Sequence, residues 1–374
     1  MKKKIIEVSS DSNIGGAGKC LITLLKNFDY DKLDVKVILP PDSLLKPEIE
    51  GLGIEVIEVA GIAEKSIDIG AIKEFRRIFK AEKPDLVHTH ASMSARIAAR
   101  QSGAKVIYTR HSVFPQSKRL TTFPGKLING IINNHYSDSI IAVAEAAKDN
   151  LTDTGVSAKK ISVILNGVDG LKPESESEKH LIRRRFGVND GERVISIVAR
   201  LEDIKGHNYF IEAAKMLIDE GVRAKFIIAG TGSYEAELKN KVKHLGLDKD
   251  VIFTGFITDV DKLMNITDIQ VNASYGTEAT SLALLEGMSI GVPAVVSDFG
   301  GNPGVITDGE NGFVVPKQNS AALKSGIERL LNDEAMYNKM SEKSKEIFNS
   351  AFTSQIMTKN TEDLYIKTIN GERK

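Results

Sequence analysis

Residues 269–297 contain the arrangement that most constrains the fold: a strand, a polar loop, a helix and a second strand in close succession. Residues 269–272 form a short apolar run that predicts a buried strand, and another apolar run follows the helix. From Leu282 onward, apolar residues recur at helical spacing. Thr280 or Ser281 occupies the predicted N-cap of this helix. A unit of this kind is typical of a parallel α/β sheet.

The loop and the helix N-terminus of such a unit lie at the carboxyl edge of the sheet. Free backbone N–H groups and the positive end of the helix dipole point there, which suits a phosphate group. Glu278 lies in the loop and Glu286 in the helix. One carboxylate can therefore contact the sugar of a ligand while the other reaches a ribose. An ordinary helix cap with a solvated face is the alternative interpretation of the two glutamates.

The same alternation of strands and helices is predicted through both halves of the chain. A polar segment without periodicity, residues 173–179, separates the halves, and we place the domain boundary there. At 374 residues the chain suits two domains, each of which can bury a core. We therefore predict an α/β fold of two Rossmann-like domains, residues 1–172 and 173–353. The other predicted strands are residues 4–9, 35–39, 54–59, 86–90, 105–110, 139–143, 161–165, 194–199, 225–229, 251–256 and 312–315.

Composition argues against several classes of function. The chain has 50 Lys and Arg against 50 Asp and Glu, so its formal net charge of zero does not suggest a nucleic-acid partner. No apolar run approaches the ~20 residues of a membrane span. We expect no secretory signal, because Met-Lys-Lys-Lys leads at once into a strand. Cys20 is the only cysteine, which excludes an intrachain disulfide and a cysteine-cluster zinc site and fits a reducing cytoplasm.

Charge is unevenly distributed in the first half. No acidic residue lies between Asp85 and Asp138, whereas seven basic residues do: Arg96, Arg100, Lys105, Arg110, Lys118, Arg119 and Lys126. This pattern indicates either a positive face directed toward an anionic partner or scattered cations paired with carboxylates from elsewhere. Residues 120–136 are also amphipathic and could lie on an anionic membrane surface. We favour the simpler expectation that this segment packs on its own sheet.

A glycine-rich loop, residues 11–19, follows the first strand. It has Asn13 and Cys20 where a Walker phosphate loop needs Gly and Ser or Thr, and its glycines do not fit the dinucleotide pattern G-x-G-x-x-G. Gly15 and Gly16 either allow the backbone to approach a ligand closely or form a tight turn and nothing more.

Further candidate residues lie at the ends of predicted strands. Arg200 and Lys205 flank one loop, where two cations can hold a diphosphate, although a salt-bridged surface loop is the alternative. His88 and His90 share one face of a strand and could bind a metal with a third ligand, but none is evident, so we predict no metal site. His111 lies just beyond a strand, where such sheets bind ligands.

Several motifs occur together along the chain. Glu278 and Glu286 are separated by seven residues and are followed by Gly-x-Pro-x-Val-x-Ser and a Gly-Gly pair. Residues 200–206 read Arg-x(4)-Lys-Gly, and residues 166–169 read Asn-Gly-Val-Asp. This set resembles the signature of retaining glycosyltransferase family four, the group 1 glycosyltransferases. One departure is Ala279-Thr280, which stands where the family commonly has Phe-Gly.

The resemblance implies the GT-B architecture, in which two Rossmann-like domains face each other across a cleft. Its last helix, here residues 354–369, crosses back onto the first domain, so we assign residues 354–374 to that C-terminal segment. The resemblance also implies an enzyme without metal or cofactor that moves a sugar from a nucleotide-sugar, with a UDP-sugar as the expected donor, to an acceptor hydroxyl with retention. A saccharide or lipid-linked acceptor is expected, in cell-surface polysaccharide or glycolipid synthesis. A nucleotide-sugar binder without turnover and a sugar-nucleotide epimerase remain alternatives.

The resemblance further assigns roles to individual residues. Arg200, Lys205 and the helix N-terminus would hold the diphosphate, Glu286 the ribose, and Glu278 the donor sugar. His111 would support an oxocarbenium-like transition state. The residues expected to bind the donor are Gly15, Gly16, Arg200, Lys205, Phe256, Ile257, Glu278, Thr280, Ser281, Leu282 and Glu286, and those with a catalytic role are His111, Glu278, Arg200 and Lys205.

Two expectations follow for experiment and location. Replacing Lys205 or Glu286 with alanine is expected to abolish transfer and to leave the fold intact. We expect a cytoplasmic protein, attached peripherally to the inner face of the membrane if the basic first half binds anionic lipid.

Overall fold

Thirteen strands lie in two parallel sheets in the part of the chain that the computed structural model describes, residues 2–62 and 67–372. The first seven are β1 (Lys3–Ser9), β2 (Leu33–Leu39), β3 (Val56–Glu58), β4 (Leu86–His90), β5 (Lys105–Arg110), β6 (Ser139–Ala142) and β7 (Ile161–Val163). The other six are β8 (Arg193–Val198), β9 (Ala224–Ala229), β10 (Val251–Gly255), β11 (Ile269–Asn272), β12 (Ala294–Ser297) and β13 (Gly312–Val315). The strand order is β3-β2-β1-β4-β5-β6-β7 in the first sheet and β10-β9-β8-β11-β12-β13 in the second.

Helices alternate with these strands along the chain. They are α1 (Gly16–Asn27), α2 (Lys46–Gly51), α3 (Ile69–Glu82), α4 (Met93–Ser102), α5 (Lys118–Thr121), α6 (Gly125–His135), α7 (Glu145–Asp153), α8 (Glu176–Arg185), α9 (His207–Asp219), α10 (Glu235–His244), α11 (Val260–Ile266), α12 (Leu282–Ser289), α13 (Asn302–Val305), α14 (Ser320–Asn332), α15 (Glu334–Ala351) and α16 (Ser354–Asn370). Short 3₁₀ turns form at Ala158–Lys160 and Asp203–Lys205. Within the described residues, no helix is both long and apolar enough to cross a membrane.

The chain divides into two compact units, each built around one sheet. Unit one contains the described residues up to Val168 and from Ser354 onward, and unit two runs from Asp169 to Thr353. The division therefore precedes the boundary predicted at residues 172 and 173. Because α16 belongs to unit one, the end of the chain contributes side chains to the first sheet, where it packs beside α1.

Buried aromatic side chains contribute to a separate hydrophobic core in each unit. In unit one, Phe75 and Phe79 of α3 are buried with ring centroids 5.7 Å apart. In unit two, Phe210 of α9 and Phe226 of β9 are buried and meet edge to face at 5.7 Å. Full burial of one such side chain contributes roughly 1.5–3 kcal/mol to the free energy of unfolding. Each unit thus has its own core, formed by the apolar faces that the sequence periodicity indicates.

The predicted alternation of strands and helices is confirmed, but two local predictions are wrong. The first helix begins at Gly16, so the last four residues of the predicted glycine loop, 16–19, are helical. The polar segment from residue 173 is not without structure, because Ser175 is the N-cap of α8. Its Oγ accepts a hydrogen bond of 3.3 Å from the backbone N–H of Glu178.

The prediction that residues 120–136 pack on their own sheet is also wrong for most of their apolar side chains. A break at Pro124 separates α5 from α6, and the apolar residues of both helices face outward. Gly130 is the one buried residue of α6, and a Cβ there would lie 2.3 Å from the carbonyl oxygen of Gly155. Because only glycine fits so close to that backbone, Gly130 is the point at which α6 lies directly against the Gly155 turn. The exposed apolar residues of this region are Phe114, Leu120, Phe123, Leu127, Ile128, Ile131 and Ile132.

In each sheet the strand order reverses at one point. The reversal lies between β1 and β4 in unit one and between β8 and β11 in unit two. Parallel α/β sheets bind ligands at such switch points, beyond the carboxyl ends of the strands. The loops after β1, β4, β8 and β11 are therefore where a functional site is expected.

Candidate functional site

In unit two, the loop after β8 carries Arg200 and Lys205. Lys205 ends a 3₁₀ turn, and Gly206 follows with a φ of 74°. A Cβ at this glycine would lie 2.1 Å from the carbonyl oxygen of Ala273, so only glycine lets the loop lie against the end of β11. This close approach explains the Lys-Gly pair of the sequence motif, because the glycine lets the loop place Lys205 beside the loop that follows β11.

Lys205 and Glu278 form a nearly buried ion pair across the switch point. Lys205 Nζ lies 3.0 Å from Glu278 Oε2 and also donates to the carbonyl oxygen of Thr277 at 2.7 Å. The two side chains are 12% and 10% exposed. Asn272 Nδ2 and Ser274 Oγ each donate to the same Oε2 at 3.1 Å. Since Lys205, Asn272 and Ser274 all contact Oε2, the other oxygen, Oε1, is the one that can accept a hydrogen bond from a ligand.

The Gly-Gly pair of the sequence motif holds the backbone at Glu278. Gly301 donates its N–H to the carbonyl oxygen of Glu278 at 3.1 Å. Gly300 has a φ of 62°, and a Cβ there would lie 2.0 Å from the same oxygen. No other residue fits at position 300 without moving the carboxylate loop.

Arg200 contrasts with Lys205, because it is exposed and its guanidinium has no ion pair or side-chain hydrogen bond in the described part of the chain. The alternative of a salt-bridged surface loop therefore does not describe this cation. It is available to an anionic ligand, whereas Lys205 already has a carboxylate partner.

The helix that follows, α12, has Ser281 as its N-cap, which confirms one of the two predicted capping residues. Ser281 Oγ accepts a hydrogen bond from the backbone N–H of Leu284 at 3.4 Å. Thr280 and Leu282 are half-buried beside it. Glu286 is also half-buried and lies four residues after Leu282, so both share one face of the helix.

Phe256 and Ile257, both expected to bind the donor, have different surroundings in the structure. Phe256 follows β10 and is 63% exposed, so its ring is open to a ligand. Ile257 packs instead against the cluster around Ile182 and Phe186. Because β9 separates β10 from β8, Phe256 is two strand spacings from the Arg200 loop, about 10 Å.

In unit one, Gly15 and Gly16 form the start of α1 after the end of β1. Gly15 is the N-cap, and its N–H donates to the carbonyl oxygen of Asn13 at 2.9 Å. Both glycines are exposed, and a Cβ at either would meet no atom within 4 Å. Gly18, which the sequence did not single out, is the one packed closely, since a Cβ there would lie 2.7 Å from Leu45.

A buried cluster around Glu7 lies on one face of the first sheet. The Glu7 carboxylate accepts a hydrogen bond from Tyr365 Oη at 2.6 Å on Oε1. On Oε2 it lies 3.0 Å from both His88 Nδ1 and His90 Nε2. His88 Nε2 lies 2.6 Å from Thr109 Oγ1. The sequence placed the two histidines correctly on one face but missed Glu7 and Tyr365.

These groups perturb one another's protonation. Burial alone would raise the pKa of the Glu7 carboxyl, but electrostatic interactions and hydrogen bonds with His88 and His90 hold that pKa below its ordinary value. Burial raises the pKa of Tyr365 well above its ordinary value, and the Glu7 carboxylate adds to the rise. At neutral pH the cluster therefore contains an ionised Glu7 and a neutral Tyr365.

Glu7, His88 and His90 are also of the residue types that bind metal ions in proteins. One ligand atom of each lies within 4.8 Å of the others, so their spacing could suit a metal ion. The same atoms, however, already hydrogen-bond within the cluster, and all three side chains are buried. We interpret the group as a hydrogen-bond network.

His111 extends this cluster towards the carboxyl edge of the sheet. Its Nε2 lies 2.7 Å from His90 Nδ1, and the two rings stack with centroids 5.0 Å apart. Burial lowers the pKa of His111 well below its ordinary value, and the neighbouring His90 and His88 lower it further. His111 is therefore a neutral imidazole at pH 7.

The chain matches the models of two families over most of its length. Residues 14–170 match the model described as Glycosyltransferase Family 4, and residues 178–347 match the one described as Glycosyl transferases group 1. This chain belongs to the group 1 glycosyltransferases. The resemblance that the Glu-x(7)-Glu and Arg-x(4)-Lys-Gly motifs indicated is thereby confirmed.

Known relatives of this glycosyltransferase are matched over most of their own length. It is 29% identical over 320 residues to the UDP-Gal:alpha-D-GlcNAc-diphosphoundecaprenol alpha-1,3-galactosyltransferase of Escherichia coli, which covers 81% of this chain and 80% of the relative. It is 22% identical over 317 residues to the N-acetyl-alpha-D-glucosaminyl L-malate synthase of Bacillus anthracis, covering 82% and 81%. The crystal structure of Anabaena Alr3699/HepE in complex with UDP and glucose is similar with a TM-score of 0.85 at 22% identity, covering 98% of this chain and 100% of that one. This last likeness confirms the GT-B fold.

The structure brings some of the glycosyltransferase's predicted site residues into contact and leaves others apart. Lys205 and Glu278 touch, and Arg200 lies in the same loop as Lys205. Thr280, Ser281, Leu282 and Glu286 lie together at α12, whereas Phe256 lies beyond the next strand. Gly15, Gly16 and His111 belong to unit one.

Proposed function

We propose that this glycosyltransferase takes a sugar from a UDP-sugar and transfers it, with retention, to a hydroxyl of a lipid-linked or other saccharide acceptor. The observation that carries the proposal is the Lys205–Glu278 pair at the switch point of unit two, with Arg200 in the same loop, which has no ion pair among the residues that the structure describes. A UDP donor is further supported by the E. coli relative, whose name specifies UDP-Gal.

The diphosphate would be held by Arg200, Lys205 and the N-terminus of α12. Two cations and free backbone N–H groups can stabilise the negative charge that develops on the diphosphate as it leaves. This is the charge that Mg²⁺ neutralises in many phosphate-transferring enzymes. We therefore propose that transfer needs no metal ion.

The two glutamates would hold the sugars at either end of the diphosphate. Glu278 Oε1 is the carboxylate oxygen without a partner among the described residues, and we assign it to a hydroxyl of the donor sugar. Glu286 would accept hydrogen bonds from the ribose hydroxyls. His111 of unit one would support the oxocarbenium-like transition state, and Gly15 and Gly16 would line the path of the acceptor, as the family resemblance implies.

A thermal-shift screen against UDP, GDP, ADP and their sugars tests the donor assignment. UDP or a UDP-sugar is expected to give the largest rise in melting temperature, because a ligand that binds only the folded protein stabilises it more as its concentration rises relative to its dissociation constant. Glu286→Ala should remove most of this shift. A shift with another nucleotide would correct the base, and no shift with any would contradict the site. A shift without transfer or hydrolysis over a broad acceptor panel would favour a nucleotide-sugar binder.

We also propose that the enzyme works at an anionic membrane surface, which the exposed side of α5 and α6 would contact. The E. coli relative is named for an acceptor linked to diphosphoundecaprenol, whose long polyprenyl chain is apolar. Lys118, Arg119 and Lys126 are exposed and lack ion pairs in the described part of the chain. The rest of the basic run differs, since Arg96 is buried, Arg100 pairs with Asp138 at 3.2 Å, and Lys105 and Arg110 are half-buried. The positive face is therefore confined to the helices that also expose the apolar side chains.

Sedimentation with vesicles tests this attachment. Ile131→Glu should lower binding to phosphatidylglycerol vesicles, because it places a charge in the apolar face. Lys126→Ala should weaken binding roughly fivefold at low salt, equivalent to about 1 kcal/mol per cation at the surface. Leu181→Glu is the matched control, since Leu181 of unit two is 57% exposed and Ile131 is 60% exposed. Equal binding to neutral vesicles, or equal loss in the control, would contradict the proposal.

A further inference from the structure

The hydrogen bonds from Glu7 to His111 form one continuous chain whose proton positions can be worked out. Glu7 Oε2 lies 3.0 Å from His90 Nε2, and His90 Nδ1 lies 2.7 Å from His111 Nε2. An ionised carboxylate can only accept, and a neutral imidazole has one donor and one acceptor nitrogen. Each proton along the chain is therefore determined by the group before it.

This series of hydrogen bonds starts at the Glu7 carboxylate. Tyr365 Oη donates to Glu7 Oε1, and the buried carboxylate must accept on Oε2 as well to be satisfied. His90 Nε2 lies 3.0 Å from this oxygen, which can only accept, so Nε2 is the protonated nitrogen that donates to Glu7. Burial lowers the pKa of His90 despite the opposing effect of Glu7, so His90 is neutral and its Nδ1 is an acceptor.

The second branch of the cluster is consistent with these positions. Tyr365 Oη has only one proton, which it gives to Glu7, so it accepts from His88 Nδ1 at 2.6 Å. His88 Nε2 must then accept from the Thr109 hydroxyl at 2.6 Å. Every donor in the cluster has an acceptor, and no nitrogen needs a second proton.

We infer that Glu7, acting through His90, fixes His111 as the tautomer protonated on Nε2, so that His111 Nδ1 presents a lone pair to the ligand. Nδ1 has no partner in the described part of the chain, and His111 is half-buried at the carboxyl edge of the sheet. His111 can then accept a hydrogen bond from a substrate hydroxyl but cannot donate one through Nδ1. Glu7 and His90 are positioning residues, and their catalytic importance rests on the proposed function of His111.

The tautomer can be measured without any transfer assay. In protein labelled with ¹⁵N-histidine, long-range ¹H–¹⁵N correlation spectra at neutral pH should show His111 with a protonated Nε2 and an unprotonated Nδ1. A His111→Asn sample assigns the signals. Observation of the opposite tautomer or of an imidazolium would overturn the inference. A metal that co-purifies in stoichiometric amount and is lost in Glu7→Gln would overturn it too, because it would occupy the atoms that the chain needs.

Kinetics of two His90 variants test the consequence for transfer. Glutamine can donate to Glu7 and accept from His111, so His90→Gln should keep kcat within about tenfold of wild type, whereas His90→Phe should lower kcat by about 10²-fold with little change in the donor KM. Thr109→Val is the structural control: it removes one buried hydrogen bond of the same cluster but leaves the chain to His111. If it lowers kcat as much as His90→Phe, the cluster acts only through stability and the inference fails. If the protein has the predicted tautomer but no transfer activity, the proposed function is contradicted and the tautomer inference stands.

Discussion

Replacing Lys205 with methionine is expected to abolish sugar transfer and to lower the free energy of unfolding by about 3 kcal/mol. The stability loss arises because Glu278 would keep a nearly buried charge without its cation, and breaking one partner of a buried pair typically costs about 3–5 kcal/mol. We therefore no longer expect that a substitution at this position, such as the alanine considered above, leaves the stability of the fold unchanged. Urea unfolding and a radiolabelled transfer assay measure the two effects separately.

The double variant Lys205→Met/Glu278→Gln provides the matched control. Removing both charges should restore most of the lost stability, because the neutral amide can still accept from Asn272 and Ser274. Transfer should remain absent, because neither the cation nor the carboxylate is then available to the donor. Transfer by the double variant, or a single variant as stable as wild type, would contradict the role assigned to the pair.

The second large effect is expected at Arg200. Arg200→Ala should lower kcat by about 10²–10³-fold, the usual loss when one group that stabilises developing negative charge is removed. Because Arg200 is exposed and unpaired in the described structure, the free energy of unfolding should change by less than about 0.5 kcal/mol.

Arg223→Ala is the control for Arg200. Arg223 is also exposed, but it precedes β9 and therefore lies at the amino edge of the same sheet. Its replacement should leave both activity and stability close to wild type. Equal activity of the two variants would show that the loop after β8 does not hold the diphosphate.

The elements of the fold could be predicted because they depend on local patterns. The apolar run at residues 269–272 and the cap at Ser281 are properties of short segments, and both lie in the structure where the sequence placed them. The start of α1 was missed because Gly16 and Gly18 disfavour a helix, yet Gly18 has a packing reason to be glycine in its contact with Leu45.

The contacts within the candidate site could not be predicted, because they join residues far apart in the chain. Glu7 and His90 are 83 positions apart, and Glu7 and Tyr365 are 358 apart. A charged residue inside the apolar strand β1 was the available signal for Glu7. The Lys205–Glu278 pair spans 73 positions, so the sequence could name both residues but not their contact.

The exposed face of α5 and α6 illustrates a different limit. Periodicity indicates that a helix has an apolar side, but it does not indicate what covers that side. Only the structure distinguishes Leu127 and Ile131, which face outward, from Gly130, which packs on Gly155.

The most direct test of the central claim is calorimetric titration of UDP in the presence of EDTA. If Arg200, Lys205 and α12 hold a diphosphate without metal, wild-type protein and Arg223→Ala should bind UDP equally, and Arg200→Ala should bind at least about tenfold more weakly. Binding that requires an added divalent cation, or equal binding by wild type and Arg200→Ala, would contradict it.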